Sequence, residues 1–411
     1  MSLIVQKYGG TSVGTTERIN NVARRVLTTQ QRGHEVVAVV SAMAGVTDGL
    51  LKLAGEVSTV PTEREMDVLL ATGEQTTIAL LSMAINAMGG KAISLTGAQA
   101  GIATDGDHTK ARISNISPDE VHRLLKEGNN VIVAGFQGQS SDGRITTLGR
   151  GGSDLSAIAM AAALGAERCQ ILTDVDGVYT CDPRIVPNAR KIDELSYEEM
   201  LEMASSGSKV MQSRSVEFAK KFGVVFEVRS SLNNNAGTVV MEEKQHMEAV
   251  VIRGVSLERN QAKVTVGQVP DRPGFASCIF NALAKAQIII DMIVQNTSEA
   301  NVTDISFTLH RDELAKAKEV LAEAVKDLGS EVKLTSEEGV AKVSAVGIGM
   351  RSHSGVAAQM FSSLADAKIN IKMISTSEIK TAVIVNEDQV EAAARAVHDG
   401  FGLDEADYVG A

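Results

Sequence analysis

Over the first 240 residues or so, short apolar runs alternate with stretches whose apolar positions recur at helical spacing. Leu3–Gln6 reads as a short strand running into a glycine-rich loop. Ile19, Val22, Val26 and Leu27 share one helical face, and Gly33 marks the end of that helix. Val36–Val40 is unbroken apolar sequence, the texture of a parallel strand buried on both sides. The same alternation predicts a buried helix over Thr76–Met88 and a strand near Lys91–Ser94. A helix over Asp119–Lys126 then precedes a strand at Val131–Ala134, and an Ala-rich helix over Leu155–Leu164 precedes a strand at Cys169–Thr173. Strands alternating with helices predict an α/β domain, with a mainly parallel sheet covered by helices.

Near residue 241 the pattern changes. The stretch MEEKQHME is charged and aperiodic, which predicts a linker. Beyond it Gly274–Ile293 repeats as Gly355–Ile374, an offset of 81 residues with ten of twenty positions identical. Each copy reads as a turn, a helix and a strand, and each runs on into a further apolar segment, Ile305–Leu309 or Ala382–Val385. The first copy then adds a helix over Asp312–Leu328. A unit of this length present twice predicts paired α+β domains of the ferredoxin-like kind. The expected layout is a domain over 1–240, a linker and leading strand over 241–262, and small domains over 263–335 and 336–411.

Composition narrows the function. Apolar residues make up 44% of 411 and charged residues 22%, enough apolar sequence for large cores in two or three domains. Aromatics are only 3% and the net charge is −11, with no long basic run. Nucleic-acid binding, which uses basic footprints and stacking platforms, is not expected, and neither is an anionic membrane surface. The three cysteines, Cys169, Cys181 and Cys278, make no disulfide or zinc pattern and fit a reducing cytoplasm. The N-terminus lacks a signal-peptide layout, and no apolar run predicts a membrane span.

Candidate chemistry lies in loops after strands. KYGGTSVG, Lys7–Gly14, brings a lysine and two glycines to a helix start, where Thr11 and Ser12 can donate or cap; this suits a polyphosphate, and equally a tight turn beside a surface lysine. LGRGGSD, Leu148–Asp154, precedes the Ala-rich helix and offers either an anion pocket beside Arg150 or simple capping by Ser153 or Asp154. TDVDGVYTCDPR, Thr173–Arg184, follows a strand end, the usual place for a nucleotide, although Asp-Gly is also an ordinary turn. SAMAGVTD follows the second strand. TGEQ, Thr72–Gln75, is expected at a helix start, where Glu74 would either favour the helix dipole or hold a substrate ammonium.

Together with VVSAM, FQG and SSGSKV, these motifs resemble the aspartate kinases of the amino-acid kinase family, and the repeated region resembles two ACT domains, small amino-acid sensors. The resemblance covers nearly the whole chain. It implies an enzyme that uses ATP with Mg²⁺ to phosphorylate the β-carboxylate of aspartate, feeding lysine, threonine and methionine biosynthesis. Lys7, Tyr8, Gly9, Gly10, Ser41, Thr173, Asp174, Tyr179, Arg184 and Lys209 would surround ATP. Thr47, Glu74, Arg150, Gly152 and Ser153 would hold aspartate, and Asp154 would orient Lys7, with Lys7, Arg150 and Asp154 catalytic. The carboxylate acceptor is already ionised at neutral pH and needs no general base, so catalysis falls to positioning and charge neutralisation.

By the same resemblance an amino-acid effector, lysine or threonine, would meet Asp271, Gly274, Phe275, Ala276, Asp291 and Gln295 in the first repeat. Asp271 and Asp291 would face a lysine ammonium, and Asn370 and Ile371 would lie on the partner side. The second repeat has MRSHSG in place of PDRPG and Lys372 in place of Asp291, so the two copies need not bind alike. ACT pairing between chains implies a homo-oligomer. Met241 or Met247 would serve if a smaller subunit arose from an internal start. A kinase of glutamate or acetylglutamate would share the fold, and a sensor built on an inactive kinase is the non-catalytic alternative.

Overall fold

The apolar runs become the strands of an eight-stranded sheet. The computed structural model describes residues 2–208, 210–243, 251–297, 302–326, 332–348, 350, 354–405 and 408–409. In chain order the first part comprises β1 (Leu3–Tyr8), α1 (Thr16–Gln31), β2 (Glu35–Val40), α2 (Val46–Val57), α3 (Glu63–Ala87), β3 (Ala92–Leu95), β4 (Ile102–Thr104), β5 (Ile113–Ile116), α4 (Asp119–Lys126), β6 (Asn130–Ala134), β7 (Gln137–Ser140), β8 (Ile145–Thr147), α5 (Gly152–Leu164), β9 (Arg168–Thr173), β10 (Glu194–Ser196), α6 (Tyr197–Ser205), α7 (Ser213–Phe222), β11 (Phe226–Ser230) and β12 (Thr238–Met241). The main sheet runs β10-β12-β11-β9-β1-β2-β6-β3 and is parallel except between β11 and β12. The predicted parallel sheet is therefore present.

Alternation along β1 decides which side chain meets which layer. Tyr8 points into the core formed with α1 and α3, among Val22, Val26, Leu81 and Ile85. Its neighbour Lys7 is thereby delivered to the opposite face, where α5 packs. Helix α5 is buried at every position but Ala162 and Ala163, which is why its sequence shows no amphipathic period.

A second sheet, β5-β4-β7-β8, escaped the sequence reading because its strands are three or four residues long, too short for a period to register. Helix α3 also begins thirteen residues before the predicted Thr76. By length and composition alone its 25 residues could cross a membrane. In this fold it is a core helix that buries Asp67 and Glu74.

The chain divides into two compact units. The first holds the chain up to Val178, Lys191–Ala204 and α7 to β12; the second holds Tyr179–Arg190, Ser205–Ser208 and everything from β13 onward. The second unit comprises β13 (Val251–Pro270), α8 (Phe275–Lys285), β14 (Ile290–Thr297), β15 (Val302–His310), α9 (Leu314–Ala324), β16 (Lys333–Ile348), α10 (Ser354–Asp366), β17 (Met373–Thr376), β18 (Lys380–Asn386), α11 (Val390–Gly400) and β19 (Tyr408–Val409). One sheet, β14-β15-β13-β16-β18-β17 with β19 beside β13, runs through both repeats. The two long strands serve both cores. Ala262, Val264 and Val266 of β13 pack with α8 and α9, while Ile252 and Val255 of the same strand pack with α10 and α11.

The repeat extends to backbone geometry. Gln287 and Lys368, 81 residues apart, both take positive φ, +58° and +57°, at the turn from helix to strand. In each copy the following isoleucine N–H, of Ile288 or Ile369, bonds back to a leucine carbonyl, Leu283 or Leu364. The predicted helix over Asp312–Leu328 is a short 3₁₀ turn at Arg311–Glu313 followed by α9; residues 327 and 328 lie outside the described residues.

Candidate active site and sensor pocket

The motif loops converge at the C-terminal ends of β1, β2 and β9. After β1 the chain turns through a 3₁₀ segment, Gly10–Val13, stitched by Gly9 N–H to the Leu172 carbonyl at 3.1 Å and by Ser12 N–H to the Gly9 carbonyl at 2.9 Å. The expected capping by Thr11 or Ser12 is not what forms: Thr15 caps α1 by accepting from Arg18 N–H. Ser12 is instead buried, donating to Ser231 at 2.7 Å.

Lys7 Nζ stands 2.6 Å from the Asp154 carboxylate, and each side chain is only 11% exposed. Asp154 lies in the first turn of α5, whose N-cap is Gly151, with no side-chain capping bond. Capping by Ser153 or Asp154 is thus excluded, which leaves both side chains for other work. The α5 N-terminus places its positive dipole end beside the lysine.

The loop after β2 joins this centre to α3. Ser41 N–H donates to the Tyr8 carbonyl at 3.1 Å, and Ala44 N–H to the Gly10 carbonyl at 3.2 Å. Two glycines permit the approach: a Cβ on Gly10 would lie 2.9 Å from the Ala42 carbonyl oxygen, and one on Gly73 would lie 2.8 Å from Ala42 Cβ. Glu74 Oε1 accepts the Ala42 N–H at 3.0 Å. TGEQ is therefore in the middle of α3, not at a helix start, and Glu74 owes nothing to a helix dipole. Gly73 lies inside α3, where its missing side chain makes room for Ala42 against the helix.

Glu74 is 4% exposed, and its Oε2 is buried with no hydrogen-bond partner. Burial raises its pKa from 4.5 to about 7, against the lowering effect of the Ala42 N–H. A carboxylate in this condition lacks a cation or donor.

Of the other predicted site residues, Thr47 lies in the first turn of α2, and Arg150 is exposed on the loop leading into α5. Gly152 is buried against Phe136 and Leu148, and Ser153 is buried beside it. The Tyr8 ring is fully buried, its hydroxyl donating to Gln6 Oε1 at 3.0 Å, so only its backbone faces the loops. Thr173 ends β9 and Asp174 follows it, and the Thr173 carbonyl accepts Ser231 N–H at 2.7 Å. Tyr179 and Arg184 belong to the second unit, with Arg184 bonded to Asp182 at 2.7 Å. Lys209 lies outside the described residues.

Two features were not predicted from the sequence: the Asp67 contacts and the backbone conformation of Phe136. Asp67, fully buried in α3, accepts Thr109 N–H at 3.0 Å and meets His108 Nδ1 at 2.6 Å and the Thr147 hydroxyl, tying together the segments that precede Arg150. Phe136 of FQG adopts φ +68°, a costly conformation for a bulky residue, held by Phe136 N–H donating to Ser156 Oγ at 3.1 Å and by Leu148 N–H donating to the Phe136 carbonyl at 2.9 Å.

In the second unit PDRPG forms the turn between β13 and α8, with Gly274 as N-cap at φ +102°. This turn opens a cavity of about 330 Å³ lined by Asp271, Gly274, Phe275, Ala276 and Gln295, with Thr303 and Ile305 behind. Gln295 is on β14 itself rather than after it. Asp291 faces an ammonium, but an internal one. Lys342 Nζ, 1% exposed, lies 2.5 Å from Asp291 and 2.9 Å from Glu258. Burial acts against the Lys342 charge, but the two carboxylates outweigh it and hold its pKa above the usual value. Asn370 is exposed and Ile371 half-buried in the turn from α10 to β17.

Comparison with known proteins agrees with this anatomy. The amino acid kinase family pattern matches residues 2–229, and the ACT domain pattern matches 264–325 and 343–401. The aspartokinase of Pseudomonas aeruginosa is 51% identical over 406 residues, 98% of each chain. The crystal structure of Escherichia coli aspartokinase III with aspartate and ADP superposes with a TM-score of 0.81 at 26% identity, covering 97% of this chain and 99% of that one. The same enzyme with lysine and aspartate gives 0.76 at 27% identity, with the same coverage. This chain belongs to the amino acid kinase family, among its aspartokinases with two C-terminal ACT domains.

Proposed function

We propose that the chain transfers the terminal phosphoryl group of ATP to the β-carboxylate of aspartate, giving 4-phosphoaspartate, and that an amino acid bound in its ACT region restrains the reaction. The observation that carries this reading is the pairing of two unlike buried charges beside one loop: Lys7, held by Asp154, and Glu74, with an oxygen that lacks a partner. Lys7 suits the negative charge that shifts during phosphoryl transfer, and Asp154 keeps its ammonium aimed into the site. Glu74 suits the α-ammonium of an amino-acid substrate, and Arg150 its carboxylate.

No proton needs to leave the acceptor, since the attacking carboxylate is already ionised. The protein's task is to bring two anions into line and cancel their repulsion. Ser41, Gly9 and Gly10 border the phosphate side of the site, and Thr47 the aspartate side. Among the described residues no group of three or more His, Cys, Asp or Glu could hold a metal ion. Mg²⁺ would arrive on the phosphates of ATP, where a small hard cation binds phosphate oxygens and keeps several of its waters.

The cavity beside Gly274 is the proposed effector site, with Asp271 and Gln295 as its polar contacts. Lysine is the first candidate because the Escherichia coli relative was crystallised with it; threonine is the second. Three free cysteines fit a cytoplasmic setting, and pairing of ACT domains between chains is the proposed basis of a homo-oligomer. Trapping an acyl phosphate with hydroxylamine tests the reading: aspartate should give product and glutamate should not.

A further inference from the structure

Lys7 and Gln6 alternate across β1, and Gln6 shares the α1 side of the sheet with Tyr8. On that side a cavity of about 600 Å³ lies wholly within the first compact unit. Ile4 and Gln6 of β1, Gln170 of β9 and Arg229 of β11 line it from the sheet. Helix α1 and the loop after β11, Ser231–Asn234, line the rest.

The charge of this cavity is one-sided. Arg18, Arg24, Arg25, Arg32 and Arg229 line it, and no aspartate or glutamate does. The whole chain carries a net charge of −11, so the cluster runs against its composition. Arg24 donates to Asn21 Oδ1 at 2.6 Å, Arg18 to the Thr11 carbonyl, and Arg25 to the Asn233 carbonyl and, at 3.3 Å, to Asn234 Oδ1. All these acceptors are uncharged. Of the five arginines, Arg229 alone has a carboxylate partner among the described residues, Glu227 at 3.4 Å. That carboxylate is shared, since it also accepts from Gln170 at 3.0 Å and from Gly237 N–H at 3.1 Å. Arg229 Nε is buried without a hydrogen bond. Burial lowers the pKa of Arg25, and the charge of Arg229 adds to the lowering, against Tyr8 and Glu227. Guanidiniums stay charged at neutral pH, so neighbours that disfavour each other in this way make a cradle for an anion.

The lining also selects the rest of the ligand. Ligand cavities are mostly apolar with a few polar groups. Here Ile4, Val22 and Leu232 are the apolar side chains, and there is no Phe, Tyr or Trp. A nucleobase would find no stacking surface. Asn21, Thr28, Gln170 and Asn233 offer amides and a hydroxyl, which suit a hydroxylated body. Five arginines less the Glu227 carboxylate leave about four positive charges, which two phosphates of about −2 each would match. Arginine forks take phosphate oxygens two at a time.

We propose that this cavity binds a small hydroxylated molecule carrying two phosphate groups, a sugar bisphosphate by class. The site is separate from the Lys7–Asp154 centre, which lies on the other face of β1.

The test titrates the full chain by calorimetry with a hexose 1,6-bisphosphate, with the corresponding monophosphate and with citrate, at one ionic strength. One bisphosphate should bind per chain, more tightly than either other probe. Arg25→Gln should weaken it about tenfold, the scale of one hydrogen bond to a charged group. Arg24→Gln should do the same; Arg24 is exposed and bonded to Asn21, so this change spares the packing. Lys7→Ala, and Arg123→Gln on α4 outside the cavity, should bind as wild type. Folded wild type that binds no bisphosphate overturns the proposal, and so does citrate or the monophosphate binding equally well. Loss of binding in Lys7→Ala would overturn it by assigning the anion to the glycine-rich loop. Equal weakening in Arg123→Gln would overturn it by reducing the effect to general charge.

Discussion

Lys7 and Asp154 meet at 2.6 Å although 147 residues separate them in sequence, and both are withdrawn from solvent. Two buried opposite charges at a strand end and a helix start act as one unit. Lys7→Ala is predicted to lower kcat about 10²- to 10³-fold, the scale of losing one preorganised charge contact. Asp154→Ala should do nearly the same, and the double variant should be no worse than the poorer single one. Kinetics of all three variants check this; additive losses would mean that the residues act separately.

Glu74 predicts opposite pH trends for stability and for substrate binding. Its folded pKa, about 7, lies above the ordinary 4.5. Between those values the native state holds the proton more tightly than the unfolded chain does, so ligand-free stability falls as pH rises from 4.5 to 7. The drop is at most about 3 kcal/mol. The proposed contact of Glu74 with the substrate ammonium needs the ionised form, so kcat/KM for aspartate should rise over the same range. Glu74→Gln should flatten both profiles and raise KM for aspartate. Melting curves between pH 5 and 8 that run parallel for the two proteins would contradict this.

Gly73→Ala gives a prediction of unusual sign. Within a helix, Ala exceeds Gly in propensity by about 1 kcal/mol. Here the added methyl would lie 2.8 Å from Ala42 Cβ. Overpacking of this kind destabilises by about 1–3 kcal/mol, and it displaces the Ala42 N–H that holds Glu74. The variant should melt lower than wild type and bind aspartate less well; a higher melting temperature would show that the α3 contact is loose.

Asp271→Ala and Gln295→Ala remove the two polar side chains proposed to serve the sensor cavity. Each should raise the inhibitory concentration of lysine, or of threonine if that is the effector, by about tenfold, with uninhibited kcat unchanged. Inhibition curves identical to wild type would move the effector elsewhere.

Cys278 is exposed, whereas burial pushes Cys181 up to about 12 and raises Cys169 further. One thiol should react quickly with an aromatic disulfide in the native protein, and all three after unfolding. A second fast thiol would mean that one of the buried cysteines opens to solvent.

The parts legible in the sequence were those with a period or a compact motif. Val36–Val40 and Val131–Ala134 announced the parallel sheet, and the 81-residue offset announced the paired sensors. Lys7 and Asp154 were each visible within a glycine-rich motif, and the family resemblance joined them. The middle of α3 was not legible, because Gly73 reads as a helix boundary until Ala42 is seen against it. Asp67 carries no motif at all; its importance arises from Thr109, His108 and Thr147, which only tertiary structure brings together. Asp291 read as a site for a ligand ammonium because Lys342, 51 residues away, could not be placed beside it. The double use of β13 was hidden for a related reason: its apolar alternation is continuous, and nothing local reveals that its two halves face different cores.

The central claim is tested most directly by incubating the protein with ATP, Mg²⁺ and hydroxylamine, and measuring the hydroxamate formed with aspartate against that formed with glutamate or acetylglutamate. The account predicts product with aspartate alone, abolished in Lys7→Ala. Product with one of the other acids, or none from folded protein that binds ATP, would contradict it.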